Sequence, residues 1–437
     1  MNNKKHTGSI RIILLLFFFC FGFLGLTTAA EKRPVYDVIT VDATITPPIA
    51  EYIVKSIHEA VERSADGLVI LLDTPGGLDT SMREIAKGIL NAPLPVIVYV
   101  HPSGARAASA GVIITISAHI AAMTPGTNIG AAHPVGIGLG GQMDKTMAEK
   151  VEKDAVAYVK GIAKKRGRNE EWAAKAVLKS ESITAEEALK LGVVDVVATD
   201  VAQLLTQLDN RRVTLPAGER ILKTQNALIR PQEMSLRLKI LSVISNPNIA
   251  YILLLVGLAG LYFEFSNPGV ILPGVIGGMS LILAFFALQT LPVNYAGVLL
   301  ILFAVILFIA EIKIISHGLL TVAGVVSLVM GSLLLFDSPE PALRISLQVL
   351  VPTVTILSLF FVAVISLVVK AQLRKRHTGR EGMEGAEGTA VTDIAERGKV
   401  LIKGEYWNAV SDRVIAQGKP VRVKRVDGLT LNVEEIN

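Results

Sequence analysis

The sequence predicts an α/β domain with a largely parallel sheet, followed by a block of membrane-crossing helices and a small all-β barrel. Three observations carry this. Between residues 35 and 208, short β-branched runs alternate with amphipathic helical patterns, as strands joined by crossover helices require. Between 249 and 369, long apolar runs follow one another with few charges. The last fifty residues alternate apolar and polar side chains between glycine turns. A chain of 437 residues, 51% hydrophobic with mean hydropathy +0.52, fits several domains including membrane spans, not one soluble globule.

The N-terminus reads as an export signal, 1–30. Lys4, Lys5 and Arg11 precede an apolar run to Leu26, and Thr28, Ala29 and Ala30 offer the small residues that cleavage after Ala30 requires; an uncleaved anchor is the alternative. Either way the following domain is translocated. The only cysteine, Cys20, lies in this segment behind bulky Phe17, Phe18 and Phe19, which argues against a lipoprotein signal and leaves the mature fold without disulfides or thiolate-bound metal. The net charge of +5 is spread over helix faces and one juxtamembrane cluster, so nucleic-acid binding is not expected.

In the α/β domain, 31–210, the clearest strands are VYDVITVDATI, GLVILLD and PVIVYV. Apolar residues at three- and four-residue steps predict helices over 50–63, 80–90, 109–117 and 143–165. Thr184 and Glu187 form a capping box for a later helix that Gly192 ends. Residues 211–245 are polar without a strong period and read as a linker.

The membrane block, 246–372, holds apolar runs at 249–265, 270–291, 296–315, 319–336 and 349–369, each near the ~20 residues that cross a bilayer. Five spans are expected, with four as the alternative because the first run is short. Lys370, Arg374, Lys375, Arg376 and Arg380 follow the last run and Asp337 and Glu340 precede it, which places the C-terminal tail in the cytoplasm. An exported N-terminal domain then requires an odd number of crossings. Arg230, Arg237 and Lys239 before the first run pull the other way, but a long translocated domain weakens their influence. A Gly/Glu-rich linker, 373–388, leads to an OB-like barrel, 389–437, in which Trp407 reads as a core residue and not a base-stacking one.

Chemistry concentrates in three stretches. DTPGG, 73–77, sits at the end of a strand, where Gly76 and Gly77 let backbone N–H groups approach a ligand; an ordinary turn has the same composition. SGARAASAG, 103–111, carries Ser109 between a strand and an apolar helix. Small neighbours allow a tight turn that exposes its hydroxyl and frees the Ala110 N–H, although close helix packing favours the same residues. On the helix over 143–165, Met147, Val151, Ala155, Tyr158 and Ile162 define a buried face, with Lys150 on its border and Lys153 and Lys160 opposite. A border lysine can be partly desolvated and so act as a base, with Asp154 one turn on to orient it.

DTPGG, the ASAG serine, TNIGAAHPV, KVEKDAVAYVKGIAKKRGRN and SITAEEALKLGVVDVV together resemble the NfeD (nodulation formation efficiency D) family of membrane-bound serine proteases, over essentially the whole chain. The resemblance implies a ClpP/crotonase fold and a Ser-Lys dyad, here Ser109 and Lys150, with Gly77 and Ala110 as the preferred oxyanion donors. It further implies catalysis without metal, cofactor or ATP, apolar peptide substrates, a stomatin-like membrane partner and a homo-oligomer at the bilayer.

One residue competes with Lys150. His133 follows Ser109 by 24 residues in GAAHPV, close to the spacing of the catalytic histidine in soluble ClpP enzymes, so it is an alternative base or a pocket residue. His119 reads as structural. Two other functions stay open: a non-catalytic scaffold or peptide binder for a stomatin-like protein, and a crotonase acting on acyl-CoA, against which the exported location counts.

Overall fold

The computed structural model describes residues 33–134, 145–266, 271–314, 316, 318–336, 338, 343–372 and 380–436. The expected signal and the cations Arg374, Lys375 and Arg376 lie outside the described residues. The chain forms two compact units, one running to Ile306 together with Val322–Thr355, the other comprising Leu307–Thr321 and the residues from Ile356 onward.

The first unit opens with β1 (Val35–Asp42), α1 (Pro47–Glu62), β2 (Gly67–Asp73), α2 (Asp79–Leu90), β3 (Val96–Val100), β4 (Arg106–Ala108), α3 (Ala110–Ser117), β5 (Ile120–Met123) and β6 (Asn128–Gly130). It continues with α4 (Lys145–Lys165), α5 (Glu170–Leu178), β7 (Ser182–Thr184), α6 (Ala185–Lys190), β8 (Val196–Val197), α7 (Val201–Leu208), β9 (Arg212–Leu215), β10 (Gly218–Ile221), β11 (Leu228–Pro231) and α8 (Leu236–Ile244). Six strands form a wholly parallel sheet in the order β11-β1-β2-β3-β5-β8. Its central strands β2 and β3 are covered on both faces, which is why GLVILLD and PVIVYV read as unbroken apolar runs. A second sheet, β4-β6-β7, meets the end of β2: Thr74 donates its N–H to the Arg106 carbonyl at 2.8 Å, and Ala108 donates to the Thr74 carbonyl at 3.1 Å. A parallel sheet with helical crossovers and this small second sheet is the ClpP/crotonase arrangement.

The expected helices are present. Pro47 and Pro48 open the first turn of α1, where a missing N–H costs nothing. Thr184 and Glu187 make both bonds of the capping box at α6. The segment 211–245 differs from its expectation as a linker. It forms the β9–β10 hairpin, the sixth strand β11 and helix α8, whose Leu238 enters the domain core. Buried Asp37 on β1 receives two hydrogen bonds from Arg230 on β11, at 2.6 and 3.1 Å, and Tyr52 donates to the Gln232 carbonyl at 2.7 Å. Four-residue strands, one at a sheet edge and ending in proline, carry too few buried side chains to produce a readable period.

Among the described residues, five apolar helices follow: α9 (Pro247–Ser266), α10 (Ile271–Thr290), α11 (Tyr295–Lys313), α12 (Leu319–Leu334) and α13 (Leu347–Gln372). The first two are long and apolar enough to cross a membrane; the apolar stretches of the others, Tyr295–Glu311, Leu319–Leu334 and Leu347–Ala363, are shorter. α9 and α10 touch through Gly260 and Gly277, so close that a Cβ on Gly260 would lie 2.7 Å from the Gly277 Cα. Ile282, Phe285 and Leu299 face outward, an exposure that suits lipid and not water.

The second unit contains α14 (Arg380–Met383) and the strands β12 (Glu387–Ala390), β13 (Gly398–Ile402), β14 (Glu405–Val410), β15 (Pro420–Asp427) and β16 (Thr430–Glu435). The strands close into a five-stranded barrel in the order β12-β13-β14-β16-β15, around Val400, Ile402, Ala409, Val421, Val423 and Leu431. Strand β12 begins inside the expected linker, because EGTA offers neither alternation nor a β-branched run. Trp407 packs against the barrel core and Tyr406 is exposed.

Candidate active site

Ser109 stands between β4 and α3 with φ 49° and ψ −112°, a strained conformation for a residue with a side chain. Its N–H donates to the Ala131 carbonyl at 2.9 Å, which helps hold the strain. Among the described residues its hydroxyl has no hydrogen-bond partner in the structure, and neither does the N–H of Ala110 at the first turn of α3. Ser109 thus sits at a strained strand-to-helix turn, with the following N–H unpaired among the described residues.

The glycine pair divides its tasks. Gly76 donates its N–H to the Thr74 hydroxyl at 3.2 Å and is thereby engaged in the turn, so it differs from its expectation as a free donor. Gly77 keeps an N–H without an acceptor among the described residues, and its carbon is pressed against β1's extension: a Cβ there would lie 2.2 Å from the Ile45 carbonyl oxygen, at φ +157°. Gly111 is equally confined, its Cβ position 2.7 Å from Thr74 Cγ2. Close packing of DTPGG on ASAG brings Gly77 and Ala110 into one cleft with Ser109.

The far end of α3 is tied down by cations. Arg168 donates to the carbonyls of Ile116 and Ala118 at 2.6 and 2.9 Å, and Arg166 donates to Ser117 at 2.8 Å, satisfying the last carbonyls of the helix. Burial, followed by the neighbouring Arg168 charge, brings Arg166 down to about 10. His119, beside them, accepts the Val96 N–H on Nδ1, and burial with these cations pulls its pKa down to about 3. It is a neutral structural histidine, as expected.

A cleft of about 470 Å³ runs along Ser109. Gly77, Ala110, His133 and Lys150 line it, with Met82, Ile113, Val151, Tyr158 and Val177 as apolar walls. Ser109 and Lys150 thus share one cleft, although no hydrogen bond joins them. Lys150 is exposed in the single chain, and Met147 is 51% exposed, contrary to its expected burial. The buried face of α4 begins later, with Val159, Ile162 and Ala163, because its first turns extend past the core and overhang the cleft.

His133 lines the same cleft. Its Nδ1 is 2.9 Å from the Val177 carbonyl, which can only accept, so Nδ1 donates there and, in the neutral ring, Nε2 holds the lone pair. Glu152 is farther, at 3.9 Å. Asp154 meets Arg83 of α2 and not Lys150. Arg83, overlooked in the sequence, also bonds Asp79 at 2.8 Å and lies 4.4 Å from the Tyr158 ring centre. Its four-residue spacing from Asp79, two residues after the glycine pair, is the signal the sequence offers. Burial raises the Tyr158 phenol above its ordinary value, with Arg83 opposing. Among the described residues no three His, Cys, Asp or Glu side chains group as a metal site.

By its likeness over most of its length to a curated membrane-bound protease, the chain is a membrane-bound serine protease. Residues 35–215 match the NfeD1b N-terminal domain, 248–367 the NfeD integral membrane domain, and 380–435 the NfeD-like C-terminal, partner-binding domain. The chain is 37% identical over 415 residues to the membrane-bound protease PH1510 of Pyrococcus horikoshii, covering 92% of this chain and 93% of that one. It is 28% identical over 454 residues to the membrane protein NfeD1b of Bacillus subtilis, covering 97% and 98%. A solved structure of 1510-N, a membrane protease specific for a stomatin homolog from Pyrococcus horikoshii, is 33% identical over 49% of this chain and 99% of its own, with TM-score 0.43. The chain belongs to the NfeD family.

Proposed function

We propose that the chain is a membrane-anchored serine endopeptidase that cleaves apolar segments of membrane-associated proteins, a stomatin-like protein among them, through a Ser109–Lys150 dyad. Ser109 Oγ attacks the peptide carbonyl while the Lys150 amine takes its proton, and the Gly77 and Ala110 N–H groups receive the oxyanion. Lys150 then returns the proton to the departing amine as the C–N bond breaks. Water attacks the acyl-enzyme in the reverse sense and releases the acid. The carrying observation is the strained Ser109 flanked by two unpaired N–H groups, in an apolar cleft that also holds Lys150.

The apolar walls support an apolar substrate, and the stomatin homolog on which 1510-N acts supports the partner class. The five apolar helices and the cations after the last support a multi-pass chain, with the protease domain outside and the barrel in the cytoplasm. The overhanging first turns of α4, with Met147 bare, support an oligomer in which a second copy covers them.

A second reading takes His133 as the base, since its Nε2 lone pair is free at the cleft. Peptide cleavage by the full chain in detergent separates the two: Lys150→Ala lowers turnover to a small residual rate and His133→Ala spares most of it. Full activity in Lys150→Ala with loss in His133→Ala reverses the assignment.

A further inference from the structure

The N-terminal half of α4 carries Lys150 yet packs on little. Its residues 146–150 are exposed, Ala155, Val156 and Tyr158 pack half-buried against the core, and full burial begins only at Val159. Among the described residues, the polar ties from the rest of the domain to this half are the Arg83–Asp154 ion pair and the long His133–Glu152 approach at 3.9 Å. Arg83 sits one turn into α2, the helix that begins two residues after Gly77. Asp79 on its own helix holds the guanidinium at 2.8 Å, and the Tyr158 ring of α4 lies under it at 4.4 Å. Asp154 is one helical turn from Lys150. The pair thus joins the element that presents the Gly77 N–H to the element that presents the lysine, across the mouth of one cleft.

We infer that Arg83 is a positioning residue, which through Asp154 and Tyr158 holds α4 over the cleft and so sets Lys150 against Ser109. This rests on the reading of Lys150 as the base. The side chains are exposed by 34% for Arg83 and 66% for Asp154, and ion pairs so placed add little to global stability. Their effect is on geometry, where a displacement of about 1 Å can cost about 10²-fold in rate.

The test is steady-state peptide cleavage by the full chain, with thermal unfolding as a control for folding. Arg83→Ala and Asp154→Ala each lower kcat by roughly 10- to 100-fold with KM and unfolding temperature nearly unchanged. The double variant is no worse than either single one, because both break one tie. Arg83→Lys, which retains the cation, recovers part of the rate. In a Lys150→Ala background Arg83→Ala changes the residual rate no further, because its partner in catalysis is already gone. A loss confined to KM, equal losses in both backgrounds, or full kcat in Arg83→Ala overturns the inference. Full kcat in Lys150→Ala itself overturns the dyad reading, a different outcome from any of these.

Discussion

Arg230 grips the buried Asp37 carboxylate with two hydrogen bonds, from Nε at 2.6 Å and Nη2 at 3.1 Å, and so fastens the last strand of the sheet to the first. Asp37 has no exposed surface. Removing its partner leaves the buried carboxylate under-compensated; because Arg230 itself is 39% exposed, the cost is about 1 to 3 kcal/mol. Arg230→Ala is therefore expected to lower the unfolding free energy measured in urea clearly, whereas Arg237→Ala, whose pair with Glu51 is exposed, lowers it by less than about 1 kcal/mol. Equal small shifts in both would show that β11 is not anchored by this pair.

Gly77 has no room for a side chain, since a Cβ would meet the Ile45 carbonyl, nitrogen and carbon within 2.7 Å. Gly77→Ala must push its own N–H away from Ser109. A loss of roughly 10² to 10³ in kcat is expected if that N–H stabilises the oxyanion. Wild-type kcat in a folded Gly77→Ala protein would remove Gly77 from the site.

His119 predicts a pH dependence of stability. Its folded pKa is about 3 and its ordinary value 6.5. Between these values the unfolded chain takes a proton that the folded one refuses, so stability is full above pH 6.5 and falls as the pH drops toward 3. His119→Asn keeps an acceptor for the Val96 N–H and removes the titration. It should flatten the acid limb by roughly 2 to 4 kcal/mol near pH 4, measured by denaturant unfolding across pH. Parallel curves for the two proteins would contradict the buried neutral imidazole.

Gly260 against Gly277 fixes the closest approach of two membrane helices. Gly260→Leu is expected to lower the thermal stability of the full chain in detergent by about 1 to 3 kcal/mol through overpacking, while Leu at outward-facing Ile282 is neutral. Equal tolerance at both positions would mean that α9 and α10 do not pack through these glycines.

What the sequence disclosed follows the physics of burial. β2 and β3 are buried on both faces and α3 is buried throughout, so their apolar runs stood out, and the capping box at Thr184 is a local contact that needs no tertiary context. Short β9, β10, β11 and β12 escaped because strands of four residues, mostly exposed, leave no period to read. At the site, Ser109 and Gly77 were legible because tight turns demand small residues. Met147 misled because a helical face extends along a sequence even where the core beneath it ends. Asp154 was matched to Lys150 by spacing along one helix; its partner Arg83 comes from another helix, 71 residues away, which no local pattern reveals.

The central claim is that the Ser109 hydroxyl becomes nucleophilic through the Lys150 amine. Its most direct test is mass-spectrometric detection of an adduct on Ser109 after the full chain in detergent meets an acylating, serine-directed probe. The account predicts modification at Ser109 in the wild type and in His133→Ala, and none in Lys150→Ala or Ser109→Ala. Undiminished modification of Ser109 in Lys150→Ala, or a wild-type Ser109 that stays unmodified while peptide cleavage proceeds, would contradict it.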